Sequence, residues 1–149
     1  MPVDFSDVEF SAKKDGRDHW PKTMDELVVG WIALATAQAD GPKVDVEEVF
    51  WAWEAASDLT KDHPDLALQF VLKVFEKGMS EKMLSMLAAG PLEDLLERNG
   101  AVVIDRIETM ARQDPKFRDL LGGVWQNAMS NDLWQRVERA ANRTKRRTP

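Results

Sequence analysis

The chain has no cysteine, no tyrosine and only two histidines, His19 and His63, among its 149 residues. Without cysteine there is no disulfide, no thiolate metal site and no cysteine nucleophile. That absence fits a reducing compartment, and the expectation is a cytoplasmic protein. The two histidines form neither an i, i+4 pair nor a His-Glu-x-x-His block, so a helical zinc site lacks its ligands. His63 stands directly before Pro64, where a surface turn residue is expected. A phosphate-cradling glycine loop and a Gly-x-Ser-x-Gly elbow are also missing. So are long apolar runs: the longest, Leu27 to Ala37, is too short to span a bilayer. The start, Met1-Pro2-Val3-Asp4-Phe5, is acidic and has no apolar stretch, so no signal peptide is expected. These absences leave no expected metal, cofactor or membrane contact.

What is present suits a packed domain. Apolar residues make up 44% and charged residues 31%, a balance that argues against wholesale disorder. The length suits one domain with its own core. Charge is unevenly spread. Residues 1–62 hold 14 acids against 6 bases, net −8; residues 63–132 hold 11 against 8, net −3; residues 133–149 hold 1 against 6, net +5. Such asymmetry invites an electrostatic partner.

Apolar spacing and punctuation predict an all-α fold of about seven or eight short antiparallel helices, as a helical bundle or as HEAT-like hairpins. No strand-length alternation appears. Residues 1–22 lack a period and read as an irregular arm, with Phe5, Val8, Phe10 and Trp20 available for docking. A single helical domain is expected over 23–142 and a basic tail over 143–149. Thr23-x-x-Glu26 and Asp45-x-x-Glu48 are capping boxes that open helices over about 24–38 and 46–59. The first is apolar nearly all round, which predicts a central position. In the second, Val46, Val49, Phe50, Trp53 and Ala56 form a stripe expected to face the core, with Trp51 on the opposite side. Pro64 starts a third helix, and Ser80 caps a fourth. Gly90-Pro91 is expected to start a fifth that ends at Asn99-Gly100, and a sixth runs from Ala101 to Arg112. Asp114-Pro115 opens a seventh, whose period continues through Gly122-Gly123 to Ala128. Asp132-x-x-Gln135 opens the last. Pro64 and Pro115 start similar helices 51 residues apart, a faint echo of a repeat.

Chemistry has few candidates. Glu93 with Asp94, and Asp105 with Glu108, are paired carboxylates that suit acid–base work or a divalent metal. Helix starts account for the first pair more simply, because acids favour the positive end of a helix. Asp94 and Arg98 also stand at i, i+4. Six tryptophans are many for this length. Trp31 and Trp53 are expected in the core, whereas Trp51, Trp125 and Trp134 are candidate interface anchors. The basic end, with Arg136, Arg139, Arg143, Lys145, Arg146 and Arg147, suits an anionic partner, but an overall net charge of −6 argues against nucleic acid.

Ala88-Ala89-Gly90-Pro91-Leu92-Glu93-Asp94-Leu95-Leu96, Asn99-Gly100, Ile104 to Glu108, Asp114-Pro115-Lys116-Phe117 and Leu121-Gly122-Gly123-Val124-Trp125 form a set of blocks in fixed order. Over residues 80–137 the chain resembles a bacterial family of uncharacterised domains. That family places a histidine before the glycine where this chain has Asn99, so no imidazole is available there. The resemblance implies a helical fold and no assigned activity.

The expectation is therefore a non-catalytic interaction or regulatory module, of the immunity or inhibitor kind. Its candidate binding residues are Trp51, Glu93, Asp94, Asn99, Trp125 and Trp134, its partner is another protein, and a symmetric homodimer is a further reading. The rival expectations are a metal-dependent enzyme using Glu93, Asp94, Asp105 and Glu108, and nucleic-acid contact through the tail.

Overall fold

The computed structural model describes residues 3–11, 16, 19–41 and 45–142. The helices are α1 (Met24–Asp40), α2 (Val46–Asp62), α3 (Pro64–Phe75), α4 (Glu81–Leu87), a π-turn (Ala88–Leu92), α5 (Glu93–Gln113), α6 (Pro115–Leu121) and α7 (Asn131–Ala141). The fold is all-α, and among the described residues no helix is long and apolar enough to cross a membrane. The caps work as the sequence requires. Thr23 accepts from the Glu26 amide, Asp45 from Glu47, Ser80 from Met83 and Asp114 from Lys116. The last helix opens at Ser130, two residues before the expected Asp132.

The main departure lies in the middle of the chain. Gly90-Pro91 does not start a new helix, and Asn99-Gly100 does not end one. Residues 81–113 form one continuous run, so the separate helical bodies among the described residues number six rather than seven or eight. Proline in a helix lacks its N–H and crowds the carbonyl four residues back. The π-turn widens the helix at that point, and the Glu93 N–H reaches back to the Ala88 and Gly90 carbonyls. Gly90 helps, because a Cβ on the residue before proline disfavours the helical region. At Asn99 the backbone leaves helical geometry (φ −142°, ψ 32°), which kinks α5 without ending it.

α5 is the central element. It packs against α2, α3, α6 and α7, whereas α1 packs against α2, α3 and α4. Of the inner residues expected from helical spacing, Val103, Ile104, Ile107, Met110 and Ala111, all are buried except Met110, which is partly buried against the core. α1 buries most of its surface, but Val29 stands in solvent. The N-terminal segment is tied to α1 by backbone hydrogen bonds from Phe5 to Lys22 and from Met24 to Val3, and it buries Phe5, Val8 and Phe10.

α2 departs in part from the expected orientation: Ala56 is buried as expected, whereas Phe50 and Trp53 are not. Its buried face is Ala52, Ala55, Ala56, Leu59 and Thr60. Phe50 and Trp53 face outward. The reason is the closeness of α1. A Cβ on Gly30 would lie 2.6 Å from the Trp51 ring and 3.2 Å from the Ala52 Cβ. Gly30 and Ala52 allow that approach and the Trp51 ring packs over the glycine, which leaves Phe50 and Trp53 on the outer side.

Gly30→Ala is accordingly expected to destabilise the fold. Overpacking of about 1–3 kcal/mol outweighs the roughly 1 kcal/mol that alanine gains over glycine in a helix. In a Trp51→Phe background the same change should cost less, and urea denaturation of the two single variants and the double variant measures that coupling. Additive losses would show that the Gly30–Trp51 contact is not what limits the site.

Candidate functional site

The acids singled out from sequence are held in three separate ways. Glu93 is buried at the junction between the π-turn and α5. Its Oε1 accepts from the Trp125 backbone N–H at 2.8 Å and its Oε2 from Asn127 Nδ2 at 2.6 Å. Both oxygens therefore fasten the loop after α6. The expected helix-start role fails, because the preceding helix runs on and leaves no open N-terminus. That loop corrects a second expectation. α6 stops at Leu121, and Gly122-Gly123 forms a turn rather than the middle of a helix. The second glycine packs closely: a Cβ on Gly123 would lie 2.9 Å from the Ala88 Cβ. Asn127 takes a left-handed conformation (φ 45°) as the loop closes.

Asp105 and Glu108 are bound by Arg136 of α7. Arg136 donates to Asp105 Oδ1 at 2.6 Å and makes two hydrogen bonds to Glu108. These hydrogen bonds hold the Glu108 carboxyl below its ordinary range. Arg136 is thus a tie between α5 and α7 rather than part of a basic face. Glu93 and Asp105 stand twelve positions apart along one helix, about 18 Å of rise. Among the described residues no three His, Asp or Glu side chains are grouped to hold a metal.

Asn99 also has a structural task. Its Nδ2 donates to the Thr60 carbonyl at 2.6 Å and the Lys61 carbonyl at 3.0 Å, closing the open carbonyls at the end of α2. Arg98 beside it donates to the Ser57 carbonyl and to the Ser57 and Thr60 hydroxyls. Asp94 differs from these residues. It is half-buried, and among the described residues no hydrogen bond to its carboxylate is found. Burial pushes its carboxyl up, Arg98 opposes that, and Glu93 and Glu97 add to it.

The tryptophans sort differently from the expectation. Trp31 is buried as expected and meets the Phe70 ring edge-on. Trp51 is half-buried over Gly30, with its ring 4.3 Å from that of His19. Trp134 packs against the core. Trp125 is 62% exposed on the loop that Glu93 fastens. Trp53, expected inside, is 48% exposed, and its ring stacks on that of Phe50, itself 44% exposed, at 5.5 Å and 20°. This pair is the feature that periodicity missed. The signal for it was the second stripe on α2, Ala52, Ala55, Ala56 and Leu59, which matches the close approach at Gly30. The tail residues Arg143, Lys145, Arg146 and Arg147 lie outside the described residues.

Asp94 gives a pH prediction. Its folded-state pKa is raised, so the native chain holds this proton more tightly than the unfolded chain, and stability falls as pH rises through that interval. Asp94→Asn should therefore raise the thermal midpoint at pH 7, and the gain should vanish at pH values below the ordinary aspartate range. An equal or lower midpoint at pH 7 would show that the buried carboxylate carries no penalty.

No curated protein and no solved structure matches the chain. Residues 39–145, which include α2 through α7 and so both the stacked pair and every acid discussed above, match one family model. The chain belongs to that Family of unknown function (DUF6869).

Proposed function

We propose that the protein is a cytoplasmic protein-interaction module of the immunity or inhibitor kind, and that the outward face of α2 is its docking point. The stacked, exposed Phe50–Trp53 pair carries this reading. Large aromatic side chains are usually buried by folding, and at interfaces they supply most of the binding energy. Here the pair is already oriented by mutual stacking, so little side-chain freedom is lost when a partner covers it.

Two further observations support an interaction role over catalysis. Glu93, Asp105 and Glu108 are engaged in ties that hold the fold, which leaves the metal-dependent alternative without a converging set of ligands. The first 62 residues carry net −8, a field that accelerates encounter with a basic partner. Nucleic-acid contact would rest on the tail beyond residue 142.

Phe50→Ser with Trp53→Ser tests the reading. Both side chains are partly exposed, so circular dichroism and the urea midpoint should change little. A protein retained by the wild-type chain from its native host should be lost, with affinity lowered at least about thirtyfold if each aromatic contributes about 1 kcal/mol or more. Recovery of free monomer alone at micromolar concentration, or a partner indifferent to both substitutions, would contradict it.

A further inference from the structure

The α2 face offers more than apolar area. Phe50 covers one side of the Trp53 indole through stacking. Nearly half of the Trp53 surface remains open. The electron-rich face of an indole attracts a guanidinium or ammonium group more strongly than any other aromatic side chain does.

A carboxylate lies on the helix that packs beside α2. Arg98 of α5 reaches α2 at Ser57 and Thr60, and Asn99 reaches it at Thr60 and Lys61. The π-turn before α5 also packs against α2. One turn back from Ser57 on α2 is Trp53, and one turn back from Arg98 on α5 is Asp94. Asp94 is half-buried there, and the charge of Arg98 acts on it without a hydrogen bond. Its carboxylate lacks a hydrogen-bond donor among the described residues, and the guanidinium of Arg98 is committed to Ser57 and Thr60. Burial raises the Asp94 pKa, and the nearby Arg98 charge opposes that rise. Exposed Glu97 adds negative charge beside it, and Glu47 and Glu48 are exposed in the first turn of α2.

We propose that this face takes a lysine or arginine side chain of a foreign partner polypeptide, laid against Trp53 and paired with Asp94, while the partner's apolar residues cover Phe50. The inference rests on the docking reading above and names its chemistry. It makes the partner a basic, amphipathic segment, which the acidic N-terminal half would also attract over distance.

The test uses the full chain and two synthetic heptapeptides, acetylated and amidated. One alternates leucine and arginine; the other carries neutral citrulline in place of each arginine. Indole N–H resonances are followed by NMR, with Trp53 assigned through Trp53→Phe. The arginine peptide should shift the Trp53 resonance, Asp94→Asn should weaken that binding roughly tenfold, and the citrulline peptide should bind at least about tenfold more weakly. Equal binding of the two peptides, with dependence on Phe50 and Trp53 retained, overturns the cation pairing and leaves the docking reading intact. No binding of either peptide overturns it too; if the native partner is then also indifferent to Phe50→Ser and Trp53→Ser, both readings fall. Binding that ignores Asp94→Asn removes Asp94 from the site. A Trp53-dependent dimer in sedimentation would show that the occupant is a second copy and overturn the foreign partner.

Discussion

The close approach of α1 to α2 is the constraint from which the outer surface follows. With Trp51 and Ala52 against Gly30, α2 presents Ala52, Ala55, Ala56 and Leu59 to the core. Its heavier stripe is then left outside, and Phe50 and Trp53 stack on each other instead of filling the interior. Packing density sets this outcome. Interiors tolerate no overlap, so the side that fits is chosen over the side with more apolar area. Hydrophobicity alone would have chosen the other face.

The second organising element is the run from Glu81 to Gln113. A π-turn carries it past Pro91, and a kink at Asn99 bends it around the end of α2. Polar side chains fasten neighbours to this helix at successive levels. Glu93 holds the loop after α6, Arg98 and Asn99 hold α2, Arg106 pairs with Asp65 of α3, and Arg136 brings α7 onto Asp105 and Glu108. Glu93 is the most enclosed of these groups, and a buried acceptor that lost its donors would be strongly unfavourable. Exposed pairs such as Arg106–Asp65 contribute little to stability and serve chiefly to set position. Once these ties are made, Asp94 is the acid in the candidate pairs that remains without such a role.

Much of the helical plan was legible in the sequence, because capping and proline act locally. Thr23, Asp45, Ser80 and Asp114 cap where their chemistry dictates, and Pro64 and Pro115 begin helices. The inner face of α5 was legible as well. What failed were features fixed by contacts distant in sequence. Gly90-Pro91 and Asn99-Gly100 look like stops, but a π-turn and a kink carry the helix through them. The reverse happened at Gly122-Gly123, where an apolar period continues after the helix has ended, because Val124 and Met129 are buried from a loop rather than from a helix. Of the candidate site, Glu93 and Trp125 are joined by the loop after α6. The Phe50–Trp53 pair was misread, since two stripes on one helix compete and only the neighbour's shape decides between them.

The account of this surface therefore turns on which way α2 faces. A soluble nitroxide that broadens exposed indole N–H resonances measures this directly. The resonance of Trp53 should be strongly attenuated, that of Trp31 should be protected, and that of Trp51 should be attenuated less than that of Trp53. Protection of Trp53 together with strong attenuation of Trp51 would place the bulky stripe in the core and contradict the account.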